Sequence, residues 1–323
     1  MIRWLVPVVL AAACSAPTPG ADPTSTTVAS VTTSVATTST TVPATTTTVP
    51  AEPKALLSPG GIIVPIRERV AQGWVVGTPC FAEAVLTDAT PVPADVQVVI
   101  DPGHGGRETG AVGPNGLVER DLNLDVARRL LGWLTDRGIG AVLTRYGDYR
   151  MAIPARAELI RTLDPALAIS IHHNAGDISP SAEIGATVFH QADHAESRRA
   201  AGLAYEELVR TLGPLDLDWV ASAPPGAVSA VRHTDDRDAY GILRLSRPVP
   251  VILTEPLFLQ NRSEAEALAT DRVQHLEAAA LGAAIERFLT TDAPGSGFLE
   301  PRVYRFPVSP TGGVQGCVDP PLE

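Results

Sequence analysis

The chain of 323 residues has a single lysine, Lys54, and its 25 basic side chains are outnumbered by 36 acidic ones, giving a net charge of −11. That imbalance excludes nonspecific attachment to nucleic acid or to an anionic membrane surface, since both draw on clustered cations. Aromatic residues make up only 5% of the chain. No stretch repeats with the period of a solenoid or glycan-binding array, which excludes that architecture. The longest apolar run near the start, Trp4 to Ala13, falls short of the roughly 20 residues that span a bilayer. It does not read as a permanent transmembrane helix.

Arg3 followed by that apolar run reads as a signal peptide over 1–13. Residues 14–51 are almost entirely Thr, Ser, Pro, Ala and Val. Such a segment buries too little apolar surface to offset its ordering entropy and is expected to be a disordered linker. Ala11-Ala12-Ala13-Cys14 resembles a lipobox, although Leu10 stands four residues before the cysteine rather than three. The resemblance implies a lipid anchor on Cys14 outside the cytoplasmic membrane, with plain secretion as the alternative. An exported chain can form disulfides, so Cys80 and Cys317 are expected to pair and staple the segments before and after 94–291 together, with two unrelated thiols as the alternative.

Residues 96–106 run a β-branched stretch into Asp101-Pro102-Gly103-His104-Gly105-Gly106. Proline and glycine cannot continue a central ladder, so His104 is expected at the carboxyl end of a buried strand, where α/β sheets bind their ligands. Glu119 opens a helical pattern, and expected strands over 166–171 and 249–254 lead into His172 and Glu255. Two imidazoles and one carboxylate are the donor set of a catalytic zinc site, with the fourth position open to water and a further carboxylate available as base. Adjacent strand residues point to opposite faces, so only one of His172 and His173 reaches such a metal. Asp101 is expected to orient His104 or to cap the turn, and Asn174 to bind substrate or to brace its loop.

Leu122, Val126, Leu130 and Leu134 recur every fourth residue and predict a helix over 120–137. Strands at 139–144, 166–171, 185–190, 227–233, 241–245 and 249–254 are expected to alternate with helices at 154–163, 195–212 and 263–289. That alternation predicts an α/β fold: a twisted, mostly parallel sheet with helices on both faces and the site at its strand ends. Residues 52–93 read as a small β extension of two or three strands, with few aromatics for a wall-binding module. Residues 94–291 read as the catalytic domain, and 292–323 as an extended tail held by contacts or by Cys317.

Asp-Pro-Gly-His-Gly-Gly, Gly-Leu-Val-Glu-Arg-Asp-Leu-Asn-Leu, Leu-Thr-Arg at 143–145, Ser-Ile-His-His-Asn-Ala and Glu-Pro-Leu-Phe-Leu-Gln-Asn at 255–261 occur in this order. From about Val96 to Leu289 the chain resembles the zinc-dependent N-acetylmuramoyl-L-alanine amidases. The resemblance implies one zinc ion held by His104, Glu119 and His172, and Glu255 as the catalytic carboxylate, with His172 rather than His173 as the ligand. It implies hydrolysis of the amide between N-acetylmuramic acid and L-alanine in peptidoglycan or muropeptides, by a chain expected to be monomeric. Arg145 and Arg156 match the family and are equally suited to structural ion pairs. Leu257 and Gln260 depart from its pattern where glycine and a small hydroxyl residue are usual, which implies altered packing beside the base. The alternatives are an impaired peptidoglycan-binding regulator and a zinc peptidase acting within the stem peptide. With only about eight residues, 176–183, after the third ligand, no helical plug is expected and the groove should stand open.

Overall fold

The computed structural model describes residues 52–305 and 312–323. The expected signal peptide, Cys14 and the linker lie outside the described residues. The first described elements are five short strands, β1 (Ala55–Leu57), β2 (Ile63–Val70), β3 (Gly73–Gly77), β4 (Glu83–Leu86) and β5 (Thr90–Pro91). They form an antiparallel sheet in the order β4-β3-β2-β1-β5 around Leu56, Ile62, Val64, Val76 and Leu86. This is a larger unit than the two or three strands expected from sequence.

The central sheet is built from β6 (Val98–Pro102), β7 (Ala141–Leu143), β8 (Leu167–Ile171), β10 (Thr187–His190), β12 (Gly226–Arg232), β13 (Val251–Glu255) and β14 (Arg302–Tyr304), while β9 (Ser179–Pro180) and β11 (Val220–Ala221) pair separately. Its order is β14-β12-β10-β13-β8-β6-β7, and every neighbouring pair is parallel except β10 with β13. Strands buried on both faces read as continuous apolar runs. In β6, Val98 and Ile100 enter one core and Val99 the other.

Helices α1 (Glu119–Thr135), α3 (Ala195–Leu212) and α6 (Asp271–Thr290) pack on the first face, and α2 (Ile153–Leu163) and α4 (Gly241–Leu245) on the second. Three expectations are corrected. Residues 241–245 form helix α4 rather than a strand, with the Arg244 N–H donating to Tyr240 O and the Ser246 N–H to Ile242 O; a short apolar run is ambiguous by periodicity alone. The expected helix at 263–289 is two, α5 (Arg262–Leu268) and α6, because the Thr270 side chain accepts a bond from the Val273 N–H and caps a new helix. The tail is not merely extended: β14 adds an edge strand beside β12.

The small sheet is tied to α2 by a bidentate pair, Arg67 Nε to Glu158 Oε1 at 2.6 Å and Nη2 to Oε2 at 2.7 Å. A disulfide joins Cys80 to Cys317, with Cα atoms 5.5 Å apart. Asp319 reinforces that junction by accepting from the Cys80 N–H (2.7 Å) and the Thr78 hydroxyl (2.9 Å). No helix among the described residues is long and apolar enough to cross a membrane.

Candidate metal centre and cleft

Three side chains converge beyond the ends of β6 and β8. His104 Nε2 and His172 Nδ1 each lie 3.1 Å from Glu119 Oε1, and the candidate donor atoms of all three are within 4.8 Å of one another. Tetrahedral zinc with bonds of about 2.0–2.1 Å separates its donors by roughly 3.3 Å, so the spacing and the donor chemistry fit that ion. Glu119 is the first residue of α1, and its Oε2 accepts from the Ala111 N–H at 2.8 Å. Burial raises the Glu119 pKa, but the two histidines outweigh it and hold the carboxyl well below its ordinary range. The backbone leaves room for this cluster: a Cβ on Gly103 would overlap the His172 ring, and one on Gly110, which has φ +66°, would overlap Glu119.

The loop bearing His104 is built on two buried arginines. Arg145 donates to the carbonyls of Pro102 (3.0 Å), Gly103 (2.9 Å) and Arg120 (2.7 Å). Arg156 donates to Asp101 Oδ1 (2.6 Å) and to the carbonyls of Pro102 (2.7 Å), Met151 (2.8 Å) and His104. Asp101 therefore neither orients the His104 ring nor merely caps a turn. Its carboxylate is taken up by Arg156, Thr144 (2.5 Å) and Ser170 (2.7 Å). Burial alone would push its pKa up, yet the charge of Arg156 and these hydrogen bonds bring it down.

His172 continues from β8, and its N–H donates to Thr254 O at 2.9 Å, which sets Glu255 on the neighbouring strand end. Glu255 lines the same cleft as His104, Glu119 and His172, a cavity of about 420 Å³. Burial, then the charge of Glu119, raises its pKa to about 7 against opposing effects of Arg302 and His173. A carboxyl group titrating near neutrality is suited to take and return a proton.

His173 points away from the donor cluster. Its ring is fully buried between Asn123 Oδ1 (2.8 Å) and Glu277 Oε2 (3.1 Å), so both nitrogens face acceptors. Burial lowers its pKa, but Glu277 reverses the shift and favours the imidazolium. Asn174 braces its loop, its side chain accepting from the Ala175 N–H and its backbone pairing with Leu257 and Leu259, while it also lines the cleft. His190 is engaged with Gln191 O and His194 caps α3; neither they nor His233 join the donor cluster. Leu257 is wholly buried in the core, whereas Gln260 accepts from the Gly176 N–H and lines a second cavity that shares His104 and Glu119 with the cleft. Sequence reasoning missed Phe189, Tyr240, Arg302 and Tyr304, which form the far wall of the cleft. None of them lies in a motif.

An α/β sheet with an imidazole–carboxylate donor cluster at its strand ends, and a neutral-range carboxyl beside it, belongs to the class of metal-type hydrolases. The chain belongs, within that class, to the N-acetylmuramoyl-L-alanine amidase family, whose model matches residues 98–287. It is 31% identical over 193 residues to the uncharacterised protein YqiI of Bacillus subtilis, covering 59% of this chain and 84% of that one. It is 30% identical over 208 residues to a germination-specific N-acetylmuramoyl-L-alanine amidase of the same organism, covering 60% and 79%. Among solved structures it resembles the N-acetylmuramoyl-L-alanine amidase of Clostridium difficile 630, with a TM-score of 0.51 and 26% identity over 60% of this chain and 97% of that one.

Proposed function

We propose that the chain is a zinc-dependent amidase that cleaves the bond between the lactyl group of N-acetylmuramic acid and the L-alanine of the peptidoglycan stem. The observation that carries this reading is the shared cleft of His104, Glu119, His172 and Glu255 within the family-matched segment. His104, Glu119 and His172 would hold the metal. Zinc bound there supplies a Lewis acid that polarises the scissile carbonyl and acidifies water.

Glu255 accepts the proton of the attacking water on a carboxylate oxygen and delivers it to the nitrogen of the leaving alanine, which must depart as an amine. Asp101 and Arg156 keep the His104 loop rigid, and the His173–Glu277 pair fixes the backbone N–H that Glu119 Oε1 accepts at 3.2 Å. Residues 94–291 act as the catalytic unit and 52–93 as a buttress against α2. The chain works outside the cytoplasmic membrane, tethered through Cys14 by the 14–51 linker, and as a monomer.

The test is elemental analysis of the purified chain beside peptidoglycan hydrolysis. One zinc per chain, lost in His172→Ala, and activity abolished by a chelator and restored by zinc are expected. Hydrolysis indifferent to chelation overturns the metal assignment.

A further inference from the structure

The family match ends at residue 287, yet the cleft continues onto β14, which lies beyond it. Ala230, Val231 and Arg232 of β12 pair in register with Arg302, Val303 and Tyr304. Alternation along the strand sends Arg302 and Tyr304 to one side, into the cleft, and leaves Val303 exposed on the other. Arg302 sits 5.5 Å from the centroid of the Phe189 ring, which packs on Tyr240 with centroids 4.6 Å apart. Its Nη2 donates to Pro224 O at 3.0 Å, and among the described residues it forms no ion pair. In a chain so poor in aromatics, three of them line this wall beside one arginine.

Charge defines what such a wall selects. The whole molecule is anionic and Glu255 lines the cavity, so an anionic group on a ligand needs a local cation to hold it. Two arginines line it. Arg156 is committed to Asp101 and three carbonyls, which leaves Arg302 as the arginine open to a ligand, on the wall away from the His104, Glu119 and His172 cluster. Resting on the amidase reading, we propose that Arg302, flanked by Tyr304 and Tyr240, binds a free carboxylate of the stem peptide and makes the enzyme selective for acidic over amidated peptides. Planar guanidinium is suited to a bidentate grip on carboxylate, and the aromatic faces take the peptide's apolar parts.

The probes are N-acetylmuramoyl-L-alanyl-glutamate and the same compound with both carboxyls as carboxamides. Binding is measured by calorimetry to the zinc-loaded full chain carrying Glu255→Gln, so that no turnover intervenes, and hydrolysis is measured with Glu255 intact. Arg302→Gln should weaken binding of the acid about tenfold and that of the diamide less than about twofold, with the loss in hydrolysis carried by KM. Arg302→Lys, which keeps the charge but not the planar two-pronged grip, should recover only part of the preference. Equal losses on both compounds, as a folding defect would give, or no loss on the acid, overturn the subsite. Should the acid bind in an Arg302-dependent way while neither compound is ever hydrolysed, the subsite stands and the amidase reading falls.

Discussion

Glu255 unites the chemistry of this cleft with a cost in stability. Its pKa is raised from 4.5 to about 7 by burial and by Glu119, so the folded metal-free chain prefers the protonated form. The corresponding stability is fully present below pH 4.5 and is lost as pH rises through about 7, a change on the order of 3 kcal/mol. Glu255→Gln should therefore stabilise the metal-free protein at pH 8, read as a higher urea midpoint, while lowering kcat by about 10²–10⁴. An unchanged kcat would remove Glu255 from the reaction. Zinc at Glu119 opposes the charge that raises Glu255, so its carboxyl resonance should titrate at lower pH once the metal is bound. Asp101 shows the opposite sign: its folded pKa is depressed, and its contribution is present above pH 3.8 and lost as pH falls through the folded value. Arg156→Ala strands that buried carboxylate and should cost about 3–5 kcal/mol by denaturant titration. His104, Glu119, His172 and Glu255, which the structure brings to one cleft, were singled out where apolar patterns break and, decisively, by the ordered motifs of the family resemblance. Asp101 was misread because its partner lies 55 residues away, and no local pattern records such a pair.

Strand ends and helix starts carry the site, and the strongest periodic segments were the easiest to read. Leu122, Val126, Leu130 and Leu134 all enter the core from α1 as their spacing indicates. The parallel strands were recognisable because burial on both faces leaves no polar alternation. Short segments failed for the same reason in reverse: α4 has two adjacent buried apolar residues, and β14 carries alternating residues in a proline-rich tail where nothing local signals pairing. The boundary between α5 and α6 rests on the Thr270 cap, so Thr270→Ala should cost about 1 kcal/mol without affecting activity. Glu277 of α6 is fully buried against His173 at the end of β8. Glu277→Ala leaves an uncompensated imidazolium and should destabilise by about 3–5 kcal/mol, measured as a loss in the denaturation midpoint. A change under about 1 kcal/mol would show that the pair is not charged.

Cys80 and Cys317 close a loop with a sequence separation of 237 residues, joining the small sheet to the tail. Removing such a bridge typically costs about 2–5 kcal/mol, so Cys80→Ser should lower the melting temperature by roughly 5–15 °C. The pairing was expected from export and from the two cysteines remaining besides Cys14, and the fold that brings 80 and 317 together bears it out. The decisive measurement is mass spectrometry of the soluble products released from peptidoglycan by the full chain, beside Glu255→Gln. Intact stem peptides beginning at L-alanine, with a free lactyl carboxyl left on the glycan and both absent in the variant, are the expected result. Released D-amino acids or peptides cut within the stem would contradict it.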